Sequence, residues 1–288
     1  MAIVQTITAY TPDILILQGI DYDHQNVAAH ALSQLLNQNG HPLPYVLMPT
    51  TNTGVPTGLD MDGDRKLGTP RDAQGYGRFF GHGSVAILSK FPIQIEQVQS
   101  FHDVLWSAVT PPENLRELIP ADSLEVQRLA SKVFAAVPVQ VAEQTLWVLS
   151  HHATPPVFDG PEDRNGHRNA AENLFWLGAL SGQHAAQIGT NFIIAGQLNV
   201  DPHSGQGRKT DLIRLISDSR LQNPFADWPA DDRHTVTYQT AGPLRVSELL
   251  PSANLRVTSL GMSDDPPISD EIKHTRHRLL WIDVEIPN

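Results

Sequence analysis

Short runs that stay apolar at consecutive positions constrain the fold of this chain more than any other feature. Five such runs are typical of β-strands, and they cover residues 13–17, 84–89, 145–150, 191–196 and 277–286. Four of them are apolar on both faces of the pleat, as expected for strands buried between two layers. Between them lie amphipathic helix patterns over residues 24–38, 168–180 and 208–217. This alternation predicts a layered α/β fold.

Length and charge narrow the class of protein. The 288 residues show no repeat and no linker, so we expect a single domain over residues 1–288. The formal net charge of −11 argues against nucleic acid as a partner, because an acidic surface repels phosphate backbones. No cysteine is present, which excludes disulfides and thiolate catalysis. With no secretory signal pattern and no apolar run of membrane-spanning length, we expect a cytoplasmic protein without a membrane partner.

Polar side chains cluster at the ends of the predicted strands. Gln18 follows the first run, and His151 and His152 close the third; Gln197 and Asn199 follow the fourth. Polar residues at strand ends along one edge of a sheet often converge on one pocket. Adjacent strand residues point to opposite faces, so only one of the two histidines is expected to face that pocket.

Two long polar loops contain further candidate ligands for ions. The loop over 49–82 contains a group of aspartates that we consider a candidate cation site, namely Asp60, Asp62, Asp64 and Asp72. Its spacing does not match an EF-hand, so such a cation would order the loop rather than perform chemistry. The loop over 153–169 carries Arg164 and Arg168, which are candidate anion ligands.

Several stretches, in their order and spacing, resemble the endonuclease/exonuclease/phosphatase superfamily, and in particular a bacterial branch of it. They are NTGVPTGLDMDGD, PRDAQGYGRFFGHGSVAILSKFPI, SHHATPPVFDGPEDRNGHRN, GQLNVDP and RHRLLWIDVEI. The resemblance, which includes DNase I-like nucleases and inositol phosphatases, implies a four-layer sandwich of two mixed β-sheets packed face to face and flanked by helices. The first family strand should precede Thr11, where only ten residues stand, so we expect it to be missing or replaced.

The same resemblance implies Mg²⁺-dependent phosphoester hydrolysis by a set of carboxylates. In this chain the four carboxylate positions are aligned with Gln18, Gln197, Ser247 and Arg276. Asn199 of the G-D-x-N segment and His277 of the terminal S-D-H segment are retained. Because Mg²⁺ prefers anionic oxygens and is repelled by a guanidinium, we expect no metal at Gln18 or Gln197.

These replacements predict a catalytically degenerate member of the fold whose relict pocket binds a small anion or a phosphorylated small molecule. No cofactor is expected, and Mg²⁺ would return only if the family activity persisted. The candidate catalytic residues are His151, Asn199, Arg276 and His277. The candidate anion ligands are His152, Arg164, Arg168 and Ser247.

Other hypotheses stay open from the sequence. One is a metal-independent hydrolase or lyase with His151 or His277 as general base and Arg276 stabilising negative charge. Another is a residual metal-dependent phosphodiesterase or nuclease. Zinc is a third hypothesis, with ligands drawn from His151, His152, His277, Asp201 and His203. A protein partner or homo-oligomer is also compatible with the sequence.

Overall fold

The architecture is a layered α/β sandwich built from two sheets. The structure, a computed structural model, describes residues 2–229, 232–264 and 277–287. Its strands are β1 (Ile14–Ile20), β2 (Tyr45–Leu47), β3 (Ser84–Ser89), β4 (Gln99–Ser100), β5 (Phe134–Val141), β6 (Gln144–His152), β7 (Phe192–Gln197), β8 (Val236–Tyr238), β9 (Gly242–Leu244), β10 (Ser247–Pro251), β11 (Arg256–Met262) and β12 (Leu280–Glu285). Its α-helices are α1 (Ala2–Tyr10), α2 (Val27–Gln38), α3 (Pro112–Leu115), α4 (Arg164–Ala179) and α5 (Lys209–Ile216).

The larger sheet has the order β10-β7-β6-β5-β4, and the smaller has the order β1-β3-β2. All neighbours in the larger sheet are antiparallel except β6 and β7, which run parallel, so that sheet is mixed. Two further pairs, β8-β9 and β11-β12, are separate antiparallel ribbons.

Three apolar clusters separate the layers. One lies between the two sheets and contains Val85, Ile87, Val137, Val139 and Val148. A second joins α1 and α2 to the outer face of the smaller sheet, and a third joins α4 and α5 to the outer face of the larger sheet. The predicted sandwich of two sheets flanked by helices is therefore confirmed, although the described strands of the smaller sheet are all antiparallel, so that sheet is not mixed.

The observed helices and strands lie where the sequence patterns predicted them. The three predicted helices form as α2, α4 and α5, and the predicted strands form as β1, β3, β6, β7 and β12. Residues 2–10, where the first family strand was expected to be missing or replaced, form α1. Val4 and Ile7 of this helix are buried in the cluster with α2 and the smaller sheet. No helix in the described part of the chain is both long and apolar enough to cross a bilayer.

The packing of the larger sheet against α4 generates a stability prediction. Leu149 of β6 is fully buried, whereas Ile213 of α5 is 46% exposed. We expect Leu149→Ala to lower the free energy of unfolding by about 2–5 kcal/mol, because it removes buried methyl groups and leaves a cavity. Ile213→Ala, the matched control, should change it by about 0.5 kcal/mol or less. Urea unfolding of both variants measures the difference, and equal effects would contradict this assignment of the core.

Candidate functional site

The carboxyl ends of β1, β6 and β7 meet where the two sheets converge. His152 of β6 lies beside Gln197 of β7 in the parallel register, and Ser247 of β10 lies opposite Gln197. Gln18 of β1 reaches His152 from the smaller sheet, with 2.7 Å between Gln18 Oε1 and His152 Nδ1. These contacts bring Gln18, His152, Gln197 and Ser247 to one site, which we call the strand-end pocket.

His277 completes this pocket from the segment before β12. Its ring nitrogens lie 3.3 and 3.4 Å from the side-chain nitrogen of Gln197. The ring also packs edge-on against Tyr238, with the ring centroids 6.3 Å apart. The pocket is therefore lined by two amides, two imidazoles and a hydroxyl group.

Lys132 is a further pocket residue that the sequence reasoning did not identify. It precedes β5, and its Nζ donates a 2.9 Å hydrogen bond to the carbonyl oxygen of Gly83. Burial lowers the pKa of Lys132 to about 8. No described carboxylate forms an ion pair with it; exposed Asp21 instead accepts a hydrogen bond from the N–H of the same glycine. The sequence feature that could have identified Lys132 is its position as a single lysine inside the apolar stretch 129–137.

The electrostatics of the pocket follow from burial and from this ammonium. Burial first, and then the charges of Lys132 and the neighbouring histidines, hold the pKa of His152 well below its usual value of 6.5. Burial, followed by the charge of Lys132, lowers the pKa of His277 to about 4. Both rings are neutral near pH 7, and Lys132 supplies the positive charge among the described residues of the pocket.

The strand that carries Gln18 is irregular at this point. The register between β1 and β3 shifts between Gln18 and Ile20, and Gly19 has a φ of 85°. No atom lies within 4 Å of a Cβ built on Gly19, but the left-handed backbone at this position would strain any side chain. Neither Gln18 nor Gly19 carries a carboxylate.

His151 belongs to the core and not to the pocket, so its predicted catalytic role does not fit its position. The ring is fully buried and stacks on Phe134, with the centroids 4.9 Å apart. Its Nδ1 accepts a 3.1 Å hydrogen bond from the Trp176 indole, and its Nε2 lies 2.9 Å from Asn173 Oδ1. The expectation that only one histidine of the pair faces the pocket is correct, and that histidine is His152.

The two arginines predicted to bind an anion instead fasten the loop over 49–82 to α4. Arg164 donates to the carbonyl oxygen of Met61 at 2.6 Å. Arg168 donates to the carbonyl oxygens of Gln74, Arg128 and Leu129. Arg168 is 8% exposed, and its guanidinium is satisfied by protein carbonyls. These contacts give both side chains a structural role outside the strand-end pocket, and anion binding by the pair stays a prediction.

Asn199 and Asp201 also make structural contacts after β7. Asn199 has a φ of 56° and donates a 2.6 Å hydrogen bond to the carbonyl oxygen of Ala153 at the pocket edge. The Asp201 carboxylate accepts from the backbone N–H groups of His203, Ser204 and Arg245. The zinc hypothesis loses two of its ligands, because Asp201 is occupied by these groups and His151 lies on the other face of the sheet.

The acidic loop forms a compact cluster of three carboxylates. Ligand atoms of Asp60, Asp62 and Asp72 lie within 4.8 Å of one another. Burial opposes the charged form of Asp72, but hydrogen bonds from Met61 and Thr69 leave its pKa lowered. Asp64 is not part of this group, and its carboxylate accepts from the N–H of Lys66. The loop cation stays a prediction, now for three of the four aspartates.

A family model described as "Endonuclease/Exonuclease/phosphatase family" matches residues 2–270. The chain belongs to this family. Among curated proteins, none matches it significantly. Family membership agrees with the two-sheet sandwich.

Solved structures with the same fold are distant in sequence. An endonuclease/exonuclease/phosphatase from Beutenbergia cavernae DSM 12333 is 14% identical, with a TM-score of 0.63 over 99% of this chain and 65% of that one. A family protein from Leptotrichia buccalis C-1013-b is 14% identical, with a TM-score of 0.59 over 99% and 92%. A variant of the 3′ phosphatase NExo from Neisseria, bound to product DNA hairpin, is 15% identical, with a TM-score of 0.54 over 98% and 93%.

The family implies Mg²⁺, but the described pocket does not offer the donors that this ion prefers. Its oxygens belong to amides and a hydroxyl group, and Gln18 Oε1 already accepts from His152. Among the described residues, the three carboxylates placed closely enough to hold a metal ion together are those of Asp60, Asp62 and Asp72. They lie in the acidic loop and not at the strand ends. Hard divalent cations favour carboxylate oxygens, so these residues do not fit the family metal. Arg276, predicted to stand beside His277, lies outside the described residues.

The buried position of His151 predicts a pH-dependent contribution to stability. Burial lowers its pKa to about 4, against 6.5 in the unfolded chain. The unfolded state therefore binds the proton more readily, and the contribution of the neutral ring is lost as pH falls from 6.5 towards 4. We expect wild type to lose about 3 kcal/mol more than His151→Gln over this range, measured by urea unfolding.

His30→Gln, at an exposed position on α2, is the matched control and should keep the wild-type pH dependence. An unchanged pH slope in His151→Gln would contradict the burial of a neutral ring at this position.

Proposed function

We propose that this chain is an endonuclease/exonuclease/phosphatase-fold protein that has lost the Mg²⁺-dependent phosphoesterase site and binds a small anion in the strand-end pocket. The observation that carries this proposal is the combination of Lys132, unpaired with any described carboxylate, and the amides Gln18 and Gln197. A positive charge surrounded by neutral hydrogen-bonding groups suits an anion and disfavours a divalent cation.

Several contacts support the choice of anion over metal. The hydrogen bond from Lys132 to the Gly83 carbonyl positions the ammonium without neutralising it. The neutral rings of His152 and His277 add polar atoms without adding a carboxylate. Inorganic phosphate and phosphorylated small molecules fit this chemistry. The acidic net charge of −11 makes DNA, the product bound to the Neisseria relative, a poor candidate here.

A second candidate function uses the same pocket for metal-independent catalysis. The structure favours His152 over His151 for the role of general base, because His152 faces the pocket and His151 does not. In this version Lys132 stabilises developing negative charge in place of a metal. Turnover that is insensitive to EDTA would separate it from a binding protein.

Isothermal titration calorimetry against sodium phosphate and against MgCl₂ tests the proposal. We expect phosphate to bind and Mg²⁺ not to bind at the pocket, and we expect Lys132→Met to weaken phosphate binding by about 10–100-fold. Lys90→Met, which removes an exposed lysine paired with Asp13, should leave phosphate binding unchanged.

Hydrolysis of bis-p-nitrophenyl phosphate is the assay that can overturn the proposal. Turnover that Mg²⁺ stimulates and EDTA abolishes would overturn the proposal in favour of a working family phosphoesterase. EDTA-insensitive turnover lost in His152→Ala would support the metal-independent enzyme instead.

A further inference from the structure

The orientation of the Gln18 side chain is determined by its two neighbours. Gln18 Nε2 lies 3.4 Å from the backbone carbonyl oxygen of His151, and Oε1 lies 2.7 Å from His152 Nδ1. A carbonyl oxygen can only accept a hydrogen bond, so the NH₂ group must point towards it. The opposite orientation would place the Gln18 oxygen against that carbonyl. Oε1 therefore faces His152.

This orientation selects one tautomer of His152. Because an amide oxygen only accepts, the proton of the neutral ring must be on Nδ1. A neutral imidazole has one N–H, so Nε2 carries a lone pair. The ring is neutral because it is 5% exposed, stands near the Lys132 ammonium, and has no ion pair with a described carboxylate. No described residue hydrogen-bonds to His152 Nε2, which leaves it as an acceptor.

The strand-end pocket thus contains a donor, Lys132, and an acceptor, His152 Nε2, and the charge of Lys132 acts on His152. Lys132 uses one of its three protons on Gly83 and retains two for a ligand. His152 Nε2 requires a ligand atom that carries a hydrogen. A fully deprotonated oxyanion would set its oxygen lone pairs against that nitrogen, and an acceptor left unpaired in a buried site is costly.

We propose that the pocket selects oxyanions that still carry a hydroxyl group, as hydrogen phosphate and bicarbonate do, and discriminates against sulfate. Gln18 is the positioning residue for this selection, since it holds the proton of His152 on Nδ1. This inference rests on the proposed anion-binding function and specifies the chemical class of its ligand. Sites built to pair with a hydroxyl group reject analogues that lack it.

Phosphate and sulfate provide the test, because they have nearly the same size and tetrahedral shape while only phosphate keeps a proton near neutral pH. Calorimetry at pH 7 with EDTA present should show phosphate binding at least about tenfold more tightly than sulfate. Gln18→Glu replaces the amide with a carboxylate, which stabilises the protonated ring and turns Nε2 into a donor. We expect the phosphate-to-sulfate preference to fall by about tenfold or more in this variant.

Gln97→Glu is the matched control, because it adds the same charge at an exposed position before β4 and should keep the wild-type preference. Nitrogen-15 NMR of the histidine rings measures the tautomer directly, and we expect His152 to be protonated on Nδ1. A proton on Nε2, or equal binding of the two anions, would overturn the selection and leave the anion site intact. If neither anion binds, the proposed function itself fails.

Discussion

The positive charge of Lys132 is the constraint on which the rest of the pocket depends. Its ammonium is held by the Gly83 carbonyl where two sheets converge, and no described carboxylate neutralises it. Two like charges about 4 Å apart repel by about 4 kcal/mol per pair of unit charges at an effective dielectric of 20. A divalent cation in the same pocket would face that repulsion twice over, whereas an anion would gain a similar attraction.

The surrounding fold keeps this arrangement rigid through a buried polar network on the other side of the larger sheet. Glu172 of α4 accepts hydrogen bonds from the backbone N–H groups of Ser131 and Thr154. Ser131 directly precedes Lys132, and Thr154 comes two residues after His152. Arg168, one turn earlier on the same helix, holds the adjoining loop carbonyls. The helix therefore fixes both chain segments that carry the donor and the acceptor of the pocket.

Much of the fold could be predicted from the sequence, because strand and helix patterns are local. The apolar run before Gln197 and the alternation that places His151 and His152 on opposite faces both gave correct predictions. The side chains that reach across elements could not be predicted. Lys132 meets Gly83 from 49 residues away, and Arg168 meets loop carbonyls rather than an anion. The partner of such a side chain depends on how the layers pack. The spacing of apolar residues along the chain does not predict that packing.

We propose that the strand-end pocket holds an oxyanion rather than a metal ion. A crystal grown with MnCl₂ and sodium phosphate, measured at a wavelength where manganese scatters anomalously, tests it most directly. We expect phosphate density between Lys132 and His152 and no anomalous peak beside Gln18 or Gln197. An anomalous peak coordinated by the oxygens of those two amides would contradict it.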